Sequence, residues 1–358
     1  MPLHFKARLS LLLLLPSSAA CYKDHPMAAD STGSGYLVAP MAVYAVTPLP
    51  MLPRTAEGEA RGINDAGVIA GWVKNRDATR AVQWSGAAAV QDLGNLPGLP
   101  SDIANDINQA GTIVGFSFGS SLSFARAFVW ERGLGMRALR DLGGNAGIAQ
   151  AINSSGIVVG WAADSFGTVH AARWDAAGVL TDLNPPGGTS IAIDTTDAGD
   201  IIGWIFPLGA VQEHAHMWRA DGAEIDLGTL GGPLSNGFGI NNTRAAVGYA
   251  DPHFPDENVA FIWEQARGMR PLGYGPRSQA FAISDPGRSV GLSISTGVTG
   301  LTTFRGVLQT LPDLAPGKPH VSGPTNVNRC GWIVGSSVDP NPASAALLPV
   351  VWTNGACD

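Results

Sequence analysis

Residues 149–161, with the sequence AQAINSSGIVVGW, decide the fold of this chain. An apolar run leads into Ile152, residues 153–156 reverse the chain, and a second apolar run leads to Trp161. The side chain of Asn153 can bond its own backbone, and Gly156 can adopt a positive φ without a Cβ clash. The stretch therefore predicts a β-hairpin.

The hairpin occurs seven times along the chain, which makes it a structural repeat. Each copy ends on a glycine, here called the closing glycine, and an aromatic residue follows this glycine in five copies. Consecutive closing glycines are 44, 45, 43, 45, 43 and 44 residues apart. The closing glycines are Gly71, Gly115, Gly160, Gly203, Gly248, Gly291 and Gly335.

Two more strands follow each hairpin. The third strand ends in tryptophan in six copies, and the sixth copy has Thr303-Phe304-Arg305 instead. A fourth strand then ends near an Asp-Leu-Gly motif, as at residues 92–94. Four strands in a repeat of about 44 residues match the size of one β-propeller blade.

The two ends of the repeat region predict a closed ring. The seventh copy stops after its third strand, whereas residues 41–47 form an isolated strand before the first copy. The segment after that strand, residues 48–53, aligns with residues 92–97 of the first copy. We therefore predict an all-β, seven-bladed β-propeller with four-stranded blades, in which the N-terminal strand completes the last blade and leaves no open edge.

The repeat resembles that of the HAF-repeat family of exported bacterial proteins. Residues 170–174 (HAARW) and 214–218 (HAHMW) match its central His-Ala-Phe-x-Trp motif, and residues 226–232 (DLGTLGG) match its last motif. The resemblance covers residues 41–352 and implies a repeat fold in an exported protein. It implies no activity and no catalytic residue.

The N-terminus has the pattern of an export signal. Lys6 and Arg8 precede an apolar core at residues 9–15, and small residues lead up to Cys21. We expect residues 1–21 to be a signal peptide ending at a lipobox-like cysteine, so that acylated Cys21 anchors the protein to a membrane. Free secretion after cleavage behind Ala20 is the alternative. Residues 22–40 are expected to form a flexible tether, and residues 41–358 the propeller.

The other two cysteines are expected to pair. The chain has three cysteines, and acylation of Cys21 leaves Cys330, in the hairpin turn of the last copy, and Cys357. In an oxidising compartment, a disulfide between these two would hold the C-terminal tail to the blade that closes the ring. Two free thiols are the alternative.

Composition excludes some classes of partner. The net charge is −7 and no cluster of basic residues occurs, so we expect no nucleic-acid partner and membrane contact only through the N-terminal lipid. Outside the N-terminus no apolar run is long enough to span a membrane. We expect a monomer.

Repetition argues that the histidines and aspartates are structural. His170 and His214 lie four residues before the third-strand tryptophan, where other copies have Arg80, Arg126 or Val259. The spacing of His214 and His216 would suit a metal, but no third ligand lies nearby.

The repeated aspartates of the fourth strand are expected to bond turn N–H groups. The aromatics after the closing glycines could line a sugar-binding face, but filling space between blades is the interpretation adopted here. We therefore expect no catalytic residue, metal or cofactor.

The connections between second and third strands differ in every copy, which is typical of a binding surface on a regular scaffold. The loop at residues 251–258 offers the richest chemistry, with Asp251, His253, Phe254, Asp256 and Glu257 as possible ligand contacts.

We predict a non-catalytic binding or scaffold module in the cell envelope, for a surface protein or a glycan. The alternative is an extracellular hydrolase or lyase acting on carbohydrate or another small substrate. It would need two carboxylates, or a histidine and a carboxylate, from different blades near the axis.

Overall fold

A computed structural model describes residues 43–119, 124–184, 188–210, 212–252, 258–295, 298–315 and 322–355. By internal contacts the chain divides into Met1–Met41 and Ala42–Asp358, and all described residues belong to the second unit. This unit contains seven four-stranded antiparallel sheets, the blades of a seven-bladed β-propeller. The predicted fold class is therefore confirmed. The described residues contain no helix that is long and apolar enough to cross a membrane.

Blades one to six each consist of four consecutive strands. Blade one contains β2 (Glu57–Ile63), β3 (Val68–Lys74), β4 (Thr79–Ser85) and β5 (Ala89–Asp92). Blade two contains β6 (Ser101–Ile107), β7 (Ile113–Phe118), β8 (Arg126–Glu131) and β9 (Gly135–Ala138). Blade three contains β10 (Gly143–Ile152), β11 (Val158–Asp164), β12 (Val169–Trp174) and β13 (Leu180–Asp182).

Blade four contains β14 (Gly188–Thr195), β15 (Ile201–Pro207), β16 (His214–Trp218) and β17 (Glu224–Asp226). Blade five contains β18 (Ser235–Ile240), β19 (Ala246–Ala250), β20 (Val259–Glu264) and β21 (Gly268–Pro276). Blade six contains β22 (Ser278–Ile283), β23 (Ser289–Ser293), β24 (Thr299–Phe304) and β25 (Val307–Thr310). Blade seven contains β26 (Gly323–Val327), β27 (Ile333–Val338) and β28 (Leu347–Thr353), with β1 (Ala45–Pro48) as its fourth strand.

The N-terminal strand closes the ring, as predicted. Strand β1 pairs antiparallel with β28, with Ala45 opposite Thr353 and Pro48 opposite Val350. The N–H of Leu49 continues this pairing by donating to the carbonyl of Pro349 at 2.8 Å. The outer edge of β28 is thereby covered, so the seam of the ring is held by the same ladder that builds the other blades.

The third-strand tryptophans fill the junctions between blades. All six are buried, and three indole N–H groups donate to carbonyl oxygens in the segment that follows the fourth strand of the preceding blade. These bonds join Trp84 to Pro50, Trp174 to Arg140 and Trp352 to Pro312 at 2.7–2.8 Å. Each of these three tryptophans thus adds a directional bond to the apolar contact between blades.

The aromatics that follow the closing glycines are less uniform. Phe116 and Trp161 are buried, whereas Trp72, Trp204 and Tyr249 are half-buried. All five occupy the same position on the second strand, but only Phe116 and Trp161 are removed from solvent. Space-filling between blades therefore describes Phe116 and Trp161 better than the other three.

The closing glycines are required by a close approach of two backbones. A Cβ atom on Gly71 would lie 2.1 Å from the carbonyl oxygen of Glu59, and a Cβ on Gly115 would lie 2.0 Å from that of Ile103. At this point the first strand of every blade carries a β-bulge, as between Ala60 and Gly62. The extra residue bends the first strand, and the bend changes the direction of that residue's side chain. The closing glycine makes room for that bend.

Candidate functional site

The first strands of the seven blades form the inner wall of the ring. Each of them contacts the first strand of both neighbouring blades, as β2 contacts β6 and β26. The bulge therefore places one residue per blade at the same height on this wall. These seven residues, here called the axial belt, are Arg61, Asn105, Gln150, Ile193, Phe238, Phe281 and Thr325.

Blades one to three give the belt a polar arc. Arg61 Nη1 donates to Asn105 Oδ1 at 2.8 Å, and Asn105 Nδ2 donates to the carbonyl of Ala149 at 2.8 Å. Asn105 Nδ2 also lies 3.4 Å from Gln150 Oε1. The side chains of neighbouring blades are thus joined in series around the wall. Thr325 repeats the pattern at the seam, where its Oγ1 donates to the carbonyl of Ala60 at 2.7 Å.

A carboxylate compensates the charge of this arc. Glu59 Oε2 accepts hydrogen bonds from Arg61 Nε at 2.8 Å and from Trp72 Nε1 at 3.2 Å. The Arg61 and Glu59 side chains are 16% and 22% exposed, so the pair is largely withdrawn from water but still accessible. The polar arc therefore carries both donors and acceptors and no net charge.

Blades four to six give the belt an apolar arc. Ile193, Phe238 and Phe281 are half-buried. The rings of Phe238 and Phe281 lie 6.0 Å apart between centroids, and Tyr249 lies 5.4 Å from Phe238. Such spacings are typical of interacting aromatic pairs. One side of the inner wall is therefore polar and the other side aromatic.

Two aspartates follow the belt on the same strands. Asp106 Oδ2 accepts the N–H of Ile152 in the next blade, and Asp194 Oδ2 accepts the N–H of Ile240, both at 2.9 Å. Each residue retains some exposed surface, but its carboxylate lies deep in the protein. Burial raises the pKa of Asp106 to about 7, and the negative charge of Asp194 adds to this effect. Burial likewise raises the pKa of Asp194 to about 6.

A second ring of residues joins the hairpin turns between first and second strands, on the side of the propeller here called the hairpin face. Asp197 accepts the N–H of Ser154 at 3.0 Å and the side chain of Asn242 at 2.9 Å, and Asn242 also bonds Asp285. These residues, here called the turn belt, are Asp65, Gln109, Ser154, Asp197, Asn242, Asp285 and Arg329, and their contacts join six of the seven neighbouring pairs of turns, the exception being Gln109 and Ser154. The opposite side, here called the loop face, carries the variable connections.

The histidines that the sequence singles out belong to a repeated ion pair. Arg80 and Arg126 contact Asp92 and Asp141 at 3.0 and 3.2 Å. In the next two blades, His170 Nδ1 and His214 Nδ1 lie 2.8 and 2.9 Å from the Oδ2 atoms of Asp182 and Asp226. The same position thus pairs with the same carboxylate in four blades, which agrees with the structural interpretation of these histidines.

The aspartates of these pairs also hold the turns, as expected from their repetition. The second carboxylate oxygen of Asp92, Asp141, Asp182 and Asp226 accepts the backbone N–H two residues later, at 2.7–2.9 Å. Burial alone would raise the pKa of Asp226, but the hydrogen bonds from His214 and from the Gly228 N–H outweigh it and lower the pKa. Each of these carboxylates therefore bonds both a basic side chain and a turn of its own blade.

His216 lies beside His214 without completing a metal site. Its Nε2 is 3.5 Å from Glu224 Oε2, and its ring contacts the Trp218 ring at 5.1 Å between centroids. Burial lowers the pKa of His216, although Glu224 and Asp226 oppose this effect. Across the described ranges, no group of three or more histidine, cysteine, aspartate or glutamate side chains is arranged to hold a metal ion.

Several predicted residues lie outside the described residues. This applies to Cys21, Cys357 and, within the predicted ligand loop, to His253, Phe254, Asp256 and Glu257. Asp251 is described and half-buried, and its backbone exchanges hydrogen bonds of 2.9 Å with Leu234 and Gly232. Cys330 forms a disulfide, whose partner also lies outside the described residues, so the pairing with Cys357 stays a prediction.

Comparison with solved structures supports the fold. A streptogramin B lyase matches with a TM-score of 0.56 and 9% identity, over 87% of this chain and 97% of the other. An oligogalacturonate lyase from Vibrio parahaemolyticus matches with a TM-score of 0.57 and 11% identity, over 86% and 93% of the two chains. A puromycin hydrolase matches with a TM-score of 0.54 and 12% identity, over 84% of this chain and 52% of the other.

These similarities define the chain as a propeller and no more, because identities this low show only a shared fold. No protein-family model matches the sequence, and no curated protein matches it. The fold is therefore compatible with a binding protein and with an enzyme. A choice between these two roles has to rest on the chemistry of the side chains on the inner wall.

Proposed function

We propose that this protein is an exported, lipid-anchored β-propeller that acts as a non-catalytic binding or scaffold module for a glycan or a surface protein. The observation that supports this proposal is the axial belt. Its residues come from seven blades and provide hydrogen-bonding groups on one side and aromatic rings on the other. A few oriented polar groups beside apolar surface are typical of binding sites.

The framework role of the acid–base residues supports the absence of catalysis in this proposal. His170 and His214 are each paired with an aspartate that also holds a turn. Arginine stands at the same position in blades one and two and makes the same pair with an aspartate. Because arginine cannot act as a general base at neutral pH, the bond to the aspartate is what the four blades share.

The test is thermal unfolding of the full protein, followed by tryptophan fluorescence, with a panel of glycans and of purified envelope proteins. A ligand at a hundred times its Kd adds about 2.7 kcal/mol of stability, which raises the unfolding temperature. Mass spectrometry of the ligand after incubation is the second measurement. We expect a raised unfolding temperature with an unchanged ligand. A chemically altered ligand, or no shift with any member of the panel, would contradict the proposal.

Lipid anchoring is tested separately. We expect a radiolabelled fatty acid to be incorporated into the protein in a bacterial host and the label to be lost in Cys21→Ser. The Cys330→Ser variant, which retains Cys21, serves as the matched control and should keep the label. Incorporation that survives Cys21→Ser would show that the anchor is elsewhere.

A second candidate function is a hydrolase or lyase acting on carbohydrate or another small substrate. The observation that favours it is the pair Asp106 and Asp194, two carboxylates from different blades with pKa values near neutrality. Carboxyl groups with raised pKa values can act as general acids. Turnover of a glycan that is lost in Asp106→Asn, but kept in the exposed control Asp77→Asn, would replace the binding proposal with this one.

A further inference from the structure

We propose that the axial belt binds one neutral sugar residue, with the apolar face of the sugar ring against Phe238 and Phe281 and its hydroxyl groups towards Arg61 and Gln150, which the buried Asn105 holds in place. This inference rests on the proposed binding function and assigns it a site and a class of ligand. The belt residues are brought together only by the closed ring, because they are separated by about one repeat in sequence.

The two arcs match the two kinds of surface on a pyranose. One face of such a ring presents C–H groups, which pack well against an aromatic ring, while the hydroxyl groups at its edge both donate and accept hydrogen bonds. Phe238 and Phe281 supply the aromatic surface, supported by Tyr249. The amide of Gln150 and the guanidinium of Arg61 supply planar hydrogen-bonding groups on the opposite arc, and the buried Asn105 between them bonds both.

The charges around the belt favour a neutral ligand. The Arg61 guanidinium is already compensated by Glu59 at 2.8 Å, so it offers directed N–H groups rather than an unpaired positive charge. Asp106 and Asp194 lie one residue beyond the belt and would repel an anion when ionised. A uronic acid or a phosphorylated sugar should therefore bind more weakly than the corresponding neutral sugar.

The direction of access follows from the strands. The first strand of each blade begins on the loop face and passes the belt before it reaches the hairpin turn, as β2 does from Glu57 to Ile63. On the hairpin side the turn belt bonds the turns of neighbouring blades to one another. Entry from the loop face would bring the variable connections against the rest of a glycan.

The test measures binding of neutral monosaccharides, their methyl glycosides and matched uronic acids to the full protein by calorimetry and saturation-transfer NMR. We expect a neutral sugar to bind and its uronic acid to bind more weakly. Phe238→Ala should weaken binding about tenfold or more, because the stacking surface is lost. Leu134→Ala removes an apolar side chain that is 80% exposed in the hairpin between β8 and β9, on the side opposite the loop face, and should leave the affinity unchanged.

Gln150→Ala is the second variant, because it removes a hydrogen-bonding group without cutting into the aromatic arc. It should also weaken binding, and each variant is compared by its unfolding temperature without ligand. A sugar that binds equally well to the wild type, Phe238→Ala and Gln150→Ala would overturn the axial site while leaving the binding function intact. If glycans fail to bind but a surface protein does, the inference fails alone; if nothing binds, both proposals fail.

Discussion

Asn64 in blade one donates its Nδ2 to the carbonyl oxygen of Asn108 in blade two at 3.2 Å, although the residues are 44 positions apart in sequence. Asn108 makes the same bond to Asn153, and Asn328 makes it to Asn64 across the seam of the ring. Each of these asparagines also accepts the N–H at the end of its own turn through Oδ1. One side chain therefore closes a hairpin and joins two blades.

Asn153→Ala should lower the free energy of unfolding by about 1–3 kcal/mol, because both halves of this arrangement are lost at a buried position. Asn153 Oδ1 accepts the N–H groups of Ser155 and Ile157 at 3.0 and 2.9 Å, and its Nδ2 donates to the carbonyl of Thr196 at 2.9 Å. Chemical denaturation measures the change. Asn153→Ser keeps an oxygen that can accept the turn N–H, as Ser284 does in blade six, but loses the donor to Thr196, so it isolates the bond between blades. An alanine variant as stable as the wild type would contradict this account.

Ser284→Asn should stabilise the protein. Ser284 occupies the asparagine position in blade six and retains only the turn bond, since its Oγ accepts the N–H of Arg288 at 3.2 Å. An asparagine there could also donate to the carbonyl of Asn328, as Asn241 donates to Ser284 at 3.1 Å. The expected gain is about 0.5–1.5 kcal/mol in chemical denaturation. Ser284→Ala, which removes the turn bond, should change stability in the opposite direction.

Gly115→Ala should prevent blade two from forming its bulge. The new Cβ would lie 2.0 Å from the carbonyl oxygen of Ile103, a contact that only a backbone movement can relieve. We expect loss of cooperative unfolding or a large fall in the unfolding temperature. Gly119→Ala in the same blade is the control, because its nearest neighbour would be a Leu99 methyl group at 3.9 Å. Equal effects of the two substitutions would exclude the close approach as the reason for the closing glycines.

The repeat made the architecture predictable from the sequence. The seven evenly spaced closing glycines predict seven blades. The match of residues 48–53 to residues 92–97 predicts that the first strand pairs with the last one, as β1 does with β28. The role of Asn64 was only half predictable, because turn chemistry depends on adjacent residues whereas its second partner lies one repeat away. The pairing of His170 with Asp182 could have been found by comparing copies, since Arg80 and Asp92 stand at the same positions.

The axial belt could not be predicted from hairpin patterns. Its residues lie ten positions before each closing glycine, beside small residues such as Ala60 and Ala104. Regular alternation would make each of them an ordinary member of a strand, and only the bulge gives them a common place on the inner wall. The sequence did contain one signal for the belt: the position ten residues before each closing glycine varies in chemistry, as from Arg61 to Phe238, within an otherwise regular repeat.

Blade six shows how the ring tolerates the loss of a third-strand tryptophan. Thr303 pairs with Ser289 at the register where Trp84 pairs with Ile69, and the buried ring of Tyr274, from blade five, lies in the junction between the two blades. Its hydroxyl lies 3.0 Å from Ser289 Oγ. The aromatic group has thus been supplied from the other side of the junction.

Tyr274→Ala should therefore destabilise the protein by about 3–5 kcal/mol, as expected for removal of a buried aromatic side chain. Tyr274→Phe, which loses only the hydroxyl bond, should cost about 1 kcal/mol. Adding Thr303→Trp to Tyr274→Ala should recover part of the loss, whereas Thr303→Trp alone should overpack the junction. Chemical denaturation of all four variants gives the coupling energy. Strictly additive effects would show that the two positions do not share one space.

Asp106 and Asp194 should make the free energy of unfolding decrease as the pH rises from about 4 to 7. An unfolded aspartate has a pKa of 3.8, whereas burial raises the pKa of Asp106 to about 7 and that of Asp194 to about 6. Between these values the unfolded chain ionises while the folded protein keeps its protons. The unfolded state therefore binds fewer protons, and the free energy of unfolding falls with increasing pH. Below pH 3.8 this contribution is fully present, and above about 7 it is lost.

Asp106→Asn removes this titration and keeps an oxygen that can accept the N–H of Ile152. Its unfolding temperature should exceed that of the wild type at pH 8 by more than at pH 5, since a buried carboxylate no longer has to ionise. Thermal unfolding across this range measures the difference. Asp77→Asn, at an exposed position, should leave the pH profile unchanged. A profile for Asp106→Asn parallel to that of the wild type would mean that this carboxyl does not titrate in the folded protein within the range.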